Sequence, residues 1–242
     1  MPKVRIALIA IIILFSTCVS ANTSLRQLTI ENGLSGMTAV DAAEDPGGML
    51  WIATSNGVSL FNGKSVKQYP LPKSAQGFAN RCFDIDIDSH GDVWVGTIVG
   101  VYRLRRYDNR FVRVAEHIDN VESLACAGSD VYVGNRSGLY RIGKNGDVKQ
   151  IDFSKGQMNA NNSVRSIHNE GDVAVWFTTR NDIYRLDMAT GQTTRLPLTT
   201  PSGLSKMEKC GNHLFVGTKT TDSSEWTWQP ARPKGLKASE AW

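Results

Sequence analysis

The chain repeats one pattern of about 41 residues, and this repetition limits the possible fold more than any other feature of the sequence. Each copy contains a short apolar segment with an aromatic residue: "LWIAT", "VWVGT", "VYVGN", "VWFTT" and "LFVGT". The aromatic residues, spaced by 43, 38, 44 and 39 residues, are Trp51, Trp94, Tyr132, Trp176 and Phe215. Two positions after them stand the smaller residues Ala53, Gly96, Gly134, Thr178 and Gly217. Residues two apart in a strand share a face, so each copy predicts a ring beside a gap on one face of a sheet.

Each repeat contains four short strand patterns. One precedes the aromatic strand, as in "CFDIDID" from Cys82, and two follow it, as in "VYRL" from Val101 and "FVRV" from Phe111. No segment has a sustained helical period. The sequence therefore predicts an all-β propeller of four-stranded antiparallel blades, with five recognisable repeats of which the last is incomplete. The segment "LRQLTIENGLSG" from Leu25 resembles the end of a blade, and it predicts an outermost strand that completes the last blade.

The first 21 residues have the pattern of a secretory signal peptide. Lys3 and Arg5 precede the apolar run "IALIAIIILF", which is too short to span a bilayer as a helix, and small residues follow up to Ala21. Cleavage is predicted after Ala21, and the protein is expected in the periplasm or secreted. An uncleaved membrane anchor is the alternative.

Charge and motifs exclude several classes of function. Removal of the signal peptide lowers the formal net charge from +4 to +2, which gives no argument for nucleic-acid binding. The segment "DIDIDSHGD" from Asp84 resembles a calcium loop, but Ser89 and Val95 stand where that loop needs glycine and glutamate. No nucleophile with a base at motif spacing and no phosphate loop is present in the sequence. The sequence therefore predicts no catalytic residues, no metal site and no cofactor.

The repeats resemble those of the two-component regulator propeller family. The family repeat has a Gly-Leu turn, a strand that ends in Asp, a Gly turn, a Trp strand that ends in Gly-Thr, and a Gly-Leu strand. "NGLSGMTAVDAAEDPGGMLWIATSNGV" from Asn32 and "DIDSHGDVWVGTIVGV" from Asp86 follow this pattern, whereas Asn135 and Thr178 depart from it. The resemblance covers roughly residues 25–219.

The resemblance implies a function as well as a fold. Propellers of this family commonly form the periplasmic sensor of hybrid histidine kinases, often tied to glycan uptake, and continue into an immunoglobulin-like domain, a membrane helix and a kinase. In this chain the pattern stops after 219, because Asp222 stands where earlier copies have an apolar residue. Three segments are therefore expected: a signal peptide at 1–21, a partial propeller at 22–219, and a non-repeat tail at 220–242 that marks a truncation or a change of reading frame.

One recurrent position suggests a ligand site. Four residues after the key aromatic stand, in order, Ser55, Ile98, Arg136, Arg180 and Lys219. Arg136, Arg180 and Lys219 are thus predicted to form a basic arc on one face, suited to an anionic group such as a uronate or a sulfate. Solvated loop cations are the plainer interpretation.

These observations predict a non-enzymatic sensor that binds a small molecule or an oligosaccharide. No nucleic-acid partner is expected, and a membrane would be involved only through missing C-terminal parts of a longer protein. An open ring would expose blade faces, so self-association into a homo-oligomer is also expected. The alternatives are a secreted propeller enzyme that acts on polysaccharide and a protein–protein interaction scaffold.

Overall fold

The computed structural model describes residues 26–72, 80–115, 117–155, 162–197, 203–210, 213–219 and 226–230. The predicted signal peptide lies outside these residues. The described strands form four four-stranded sheets and one three-stranded sheet, all antiparallel, and each sheet keeps its strands in chain order. Each sheet corresponds to one repeat of the sequence. The predicted propeller of antiparallel blades, with an incomplete fifth blade, is confirmed.

The strand boundaries follow the repeat. Blade 1 contains β1 (Ala39–Glu44), β2 (Leu50–Thr54), β3 (Gly57–Phe61) and β4 (Val66–Tyr69). Blade 2 contains β5 (Cys82–Ile87), β6 (Val93–Thr97), β7 (Gly100–Leu104) and β8 (Val112–Ala115). Blade 3 contains β9 (Ser123–Ala127), β10 (Asp130–Asn135), β11 (Gly138–Ile142) and β12 (Val148–Ile151). Blade 4 contains β13 (Ser166–Glu170), β14 (Ala174–Thr178), β15 (Asp182–Asp187) and β16 (Thr193–Pro197). Blade 5 contains β17 (Leu204–Cys210), β18 (His213–Lys219) and β19 (Trp226–Pro230).

In blades 1 and 2, the turn between the second and third strands is closed by a threonine and a glycine. The Thr97 hydroxyl donates a hydrogen bond to the carbonyl of Gly100 at 2.8 Å, and Thr54 makes the same bond to Gly57. Gly100 has a φ of 145°, a conformation that residues with a Cβ rarely adopt. The Gly-Thr ending of the aromatic strand is therefore explained by the geometry of the turn.

In blades 2 and 3 the predicted gap beside the ring is filled by a residue that leads into the next blade. A Cβ added to Gly96 would lie 2.4 Å from Val121 Cγ1, and one added to Gly134 would lie 2.5 Å from Val164 Cγ1. Both valines are fully buried, and each stands just before the first strand of the following blade. The small residue therefore makes room for a valine that locks one blade onto its neighbour.

In the three repeats whose key aromatic is a tryptophan, a carboxylate also accepts a hydrogen bond from the indole. Trp94 Nε1 donates to Asp88 at 2.9 Å, and Trp176 Nε1 donates to Glu170 at 3.0 Å. The guanidinium of Arg103 lies 5.0 Å from the Trp94 ring centre and donates to Asp92 through Nε at 2.9 Å. The recurrent arginine of the third strand is therefore part of a blade-stabilising cluster.

Two segments differ from the sequence-based picture or extend it. The segment from Arg26 does not form the predicted closing strand: it has a short 3₁₀ helix at Ile30–Asn32, and Arg26 donates to the carbonyls of Gly63 and Lys64. A closing strand needs the edge of a last blade beside it, whereas here the segment binds the outer turn of blade 1. In the predicted tail, β19 pairs with β18 as the third strand of blade 5.

Candidate functional site

The first strands of the blades, β1, β5, β9, β13 and β17, pack side by side in that order. A side chain on each accepts a hydrogen bond from the backbone of the next. Asp84 accepts from the Leu124 amide at 2.9 Å, and Ser123 accepts from the Ile167 amide at 3.0 Å. The same relation joins Asp41 to Ile85 at 3.4 Å and Ser166 to Met207 at 3.0 Å. These side chains satisfy amides on the free edge of each first strand and hold the blades around a common axis.

Two carboxyl groups near this axis, those of Asp84 and Asp86, have raised pKa values. Burial, together with a hydrogen bond to the Asp41 carboxyl, raises the pKa of Asp84 well above its ordinary value. Burial also raises the pKa of Asp86, which accepts a hydrogen bond from the Cys126 amide at 2.7 Å. The Asp84 carboxyl group therefore holds its proton to a higher pH than an exposed aspartate does. The aspartates of the calcium-like segment thus join blade 2 to blade 3.

A second set of contacts joins the blades at the end of the axis where the first strands begin. The carbonyl of Ile98 accepts from the Asn120 amide at 2.8 Å, and the carbonyl of Arg180 accepts from the Leu204 amide at 2.9 Å. Ile98 and Arg180 both stand four residues after the key aromatic of their repeats. The backbone at this recurrent position therefore has a structural function, and the side chain is free to vary.

A cavity opens at this end, and we call it the axial cavity. Its volume is about 360 Å³, within the range of small-molecule sites. It is lined by Phe83, Asn120, Val121, Glu122, Arg136, Arg165, Ser205 and Lys206. These residues come from blades 2, 3, 4 and 5 and from the segments that lead into them. A single molecule bound in the cavity can therefore contact all four blades.

The lining combines one aromatic ring with several charges. Phe83 is half-buried, and the Arg81 guanidinium lies 5.1 Å from its ring centre. Three cations, Arg136, Arg165 and Lys206, outnumber the single carboxylate of Glu122. Arg136 lies 3.6 Å from Glu122, and its side chain is 81% exposed. Nε of Arg165 is buried and has no hydrogen-bond partner among the described residues.

The three residues of the predicted basic arc are placed differently. Arg136 lines the axial cavity at its rim. Arg180 lies in the turn between β14 and β15 with its side chain exposed, and it is not among the residues that line the cavity. Lys219 ends β18, and its side chain lies outside the described residues. A common function of the three in ligand binding stays a prediction.

Sequence reasoning missed Phe83, Arg165 and Lys206 because it was aligned on the second strand of each blade. A register on the first strand would have found three of the eight lining residues. Phe83, Glu122 and Arg165 each stand one residue before an inter-blade acceptor, namely Asp84, Ser123 or Ser166. Neighbouring residues of a strand point to opposite faces, so when one contacts the next blade the residue before it can face the cavity.

No protein-family model and no curated protein matches the sequence. Several solved structures share the fold. One is the extracellular domain described as that of the hybrid two-component system BT3049 from B. thetaiotaomicron, at 16% identity and a TM-score of 0.63, covering 84% of this chain and 31% of that chain. Another is the extracellular domain of BT4673 from the same organism, at 18% identity and a TM-score of 0.65, covering 83% of this chain and 29% of that chain.

A further similar structure is virginiamycin B lyase from Staphylococcus aureus, at 17% identity and a TM-score of 0.61, covering 82% of this chain and 71% of that chain. The same fold thus occurs in extracellular domains of two-component systems and in a lyase. The chain spans about a third or less of the two extracellular domains, which belong to the class of protein that the repeats resemble. In the part of the chain that the structure describes, no helix is long and apolar enough to cross a membrane.

Proposed function

We propose that this protein is an extracytoplasmic ligand-sensing propeller of a two-component regulatory system, and that a glycan-derived ligand binds in the axial cavity. The observation that carries the proposal is the construction of the cavity: four blades contribute to one concave site that has an aromatic ring and several polar groups. The similarity in fold to extracellular domains of two-component systems supports it. A periplasmic or secreted location belongs to the same proposal.

The way in which the cavity is built suits a sensor. A ligand that contacts blades 2 to 5 together favours one relative arrangement of these blades over others. Binding can shift an equilibrium only through such a difference in affinity between two arrangements. In a longer protein the favoured arrangement would be passed on to the segments that follow the propeller. We propose that these segments include a kinase, as the family resemblance implies.

An enzyme is the alternative that the lyase neighbour and the Asp41–Asp84 pair favour. Paired carboxyl groups are the usual equipment for hydrolysis of glycosidic bonds. Here, however, each carboxyl accepts a backbone amide of the next blade, and only 6% of the Asp84 surface is exposed. We therefore assign the pair to blade packing and propose that the ligand is bound without being converted.

The binding test uses calorimetric titration with oligosaccharides of known structure against the protein without its first 21 residues. Phe83→Ala removes the ring on which a sugar face would pack, so affinity should fall about tenfold. Tyr107→Ala is the matched control, because Tyr107 is an aromatic residue that is 88% exposed and does not line the axial cavity. Equal affinity of wild type and Phe83→Ala would reject the axial cavity as the site.

Turnover is tested separately by prolonged incubation of the same oligosaccharides with the protein, followed by product analysis. We expect no product. Product formation that Asp84→Asn abolishes would instead identify an enzyme.

The expected self-association is tested by light scattering on the purified protein, where a monomer at all concentrations would contradict it.

A further inference from the structure

The charges in the axial cavity point to the chemical class of its ligand. Resting on the proposed function, we propose that the cavity selects an anionic group, a carboxylate or a sulfate, and that Arg165 and Lys206 hold this group. Both residues lie beside the cavity, but they come from different blades: Arg165 directly precedes β13, and Lys206 is part of β17. Neither belongs to the arc of cations that follows from the sequence repeat.

Arg165 is the stronger part of this argument. Its Nε–H is buried without an acceptor among the described residues, which is unfavourable unless a ligand supplies one. Its backbone is fixed, because its amide donates to the carbonyl of Thr178 at 3.0 Å and its neighbours Val164 and Ser166 are buried. A guanidinium in a fixed position presents paired donors that match the two oxygens of a carboxylate or sulfate.

Lys206 adds a second positive charge to the lining of the cavity. It lies close enough to Asp84 to act on that carboxyl group electrostatically. Burial raises the pKa of the Asp84 carboxyl, so this group is a weaker counter-charge for Lys206 than an exposed carboxylate would be. The Lys206 side chain is exposed towards solvent, where an incoming anion meets it.

Arg136 contributes less than these two residues. It forms an ion pair with Glu122 at 3.6 Å, and its side chain is 81% exposed. An exposed charge that already has a partner adds little to binding in water. Selectivity for an anion is therefore expected to depend mainly on Arg165 and Lys206.

The test compares three oligosaccharides of equal length: a neutral galactan, a sulfated galactan and a galacturonan fragment. Each is titrated against wild type, Arg165→Gln, Lys206→Met and Arg180→Gln. Arg180→Gln is the matched control, because Arg180 is an exposed arginine at the same end of the blades that does not line the cavity. Thermal melts of every variant, with Arg165→Lys as a charge-conserving substitute, show whether a loss of binding reflects a loss of folding.

We expect wild type to bind at least one acidic oligosaccharide about tenfold or more tightly than the neutral one. This difference in affinity should become smaller as salt is added, because salt screens the charges. Whether the sulfated or the uronate probe binds more tightly distinguishes the two sources of charge. Arg165→Gln and Lys206→Met should each remove most of the preference, whereas Arg180→Gln should keep it.

Three results overturn the proposal. If the neutral galactan binds as tightly as both acidic probes, selection of an anion is wrong, but a sensor that binds glycans stands. If Arg180→Gln removes the preference as strongly as Arg165→Gln, the anion binds outside the axial cavity. Absence of binding by every oligosaccharide rejects the anion site and the proposed function together.

Discussion

Replacement of Gly96 by alanine is expected to destabilise the propeller by forcing two blades apart. In most strands, replacement of glycine by alanine stabilises the folded protein by about 0.5–1 kcal/mol, because it lowers the conformational entropy of the unfolded chain. Here the new Cβ would stand 2.4 Å from Val121 Cγ1, 3.1 Å from Val121 Cβ and 3.2 Å from Leu124 Cδ2. Carbon atoms do not approach to 2.4 Å, so one blade must move. Overpacking of this kind costs about 1–3 kcal/mol.

A second substitution turns this expectation into a double-mutant cycle. Val121→Ala alone removes the atom that clashes and leaves a cavity, at a cost of about 2 kcal/mol. In the double variant Gly96→Ala/Val121→Ala the new methyl group occupies part of that space. The two costs should therefore not add, and the double variant should be more stable than their sum by about 1–3 kcal/mol.

The assay is urea unfolding followed by tryptophan fluorescence, to which Trp94 contributes from the same core cluster as Val121. The natural sequence contains a related arrangement in blade 1, where Ala53 occurs at the position of Gly96. Cys82, a smaller residue than valine, belongs to the core cluster that contains Ala53. Stability of Gly96→Ala equal to or above that of wild type would refute the reasoning, and so would additive costs in the cycle.

Two further predictions concern the inter-blade hydrogen bonds. Because burial raises the folded-state pKa of Asp84, the cost of ionising it should disappear as the pH falls from neutral towards the ordinary value of 3.8, so the contribution of Asp84 to the free energy of unfolding should rise over that window. Asp84→Asn, which resembles the protonated acid, should reduce the dependence of the free energy of unfolding on pH. If the urea midpoint of this variant changes with pH as much as that of wild type, Asp84 is not the group responsible. Ser123→Ala should cost about 1–3 kcal/mol, because it leaves the Ile167 amide without its acceptor. Ser129→Ala, at an exposed turn, should be neutral in the same denaturation assay, and equal effects would show that the inter-blade bond adds nothing.

The sequence predicted the fold well because a blade is a local structure. The aromatic strand, the glycine turn and the third strand follow one another within about 20 residues, and their hydrogen bonds join neighbours along the chain. The predicted strands around Trp51, Trp94, Tyr132 and Trp176 are confirmed. The prediction was wrong at Arg26, where a strand-like pattern binds a turn of blade 1, because pairing depends on which edge lies beside it.

The candidate site was harder to predict because its residues come from four blades. Arg136 was found from its place in the repeat, and it lines the axial cavity. Arg165 and Lys206 are 41 residues apart and occupy different positions relative to their aromatic residues. Their proximity follows from the way the first strands pack around the axis, which the repeat register does not contain.

The sequence alone therefore determined the blade: its four strands, its turns and the small residue at Gly96 or Gly134, since these depend on side-chain alternation and backbone geometry within one repeat. The tertiary structure decided what each blade contributes to its neighbour. It placed Val121 in the gap at Gly96, and it brought the Leu124 amide within hydrogen-bonding distance of the Asp84 carboxyl group. It also brought Arg165 and Lys206 to one cavity. The physical reason is that contacts between blades depend on the angle and distance at which successive sheets pack, and these are set by the buried side chains of both sheets together.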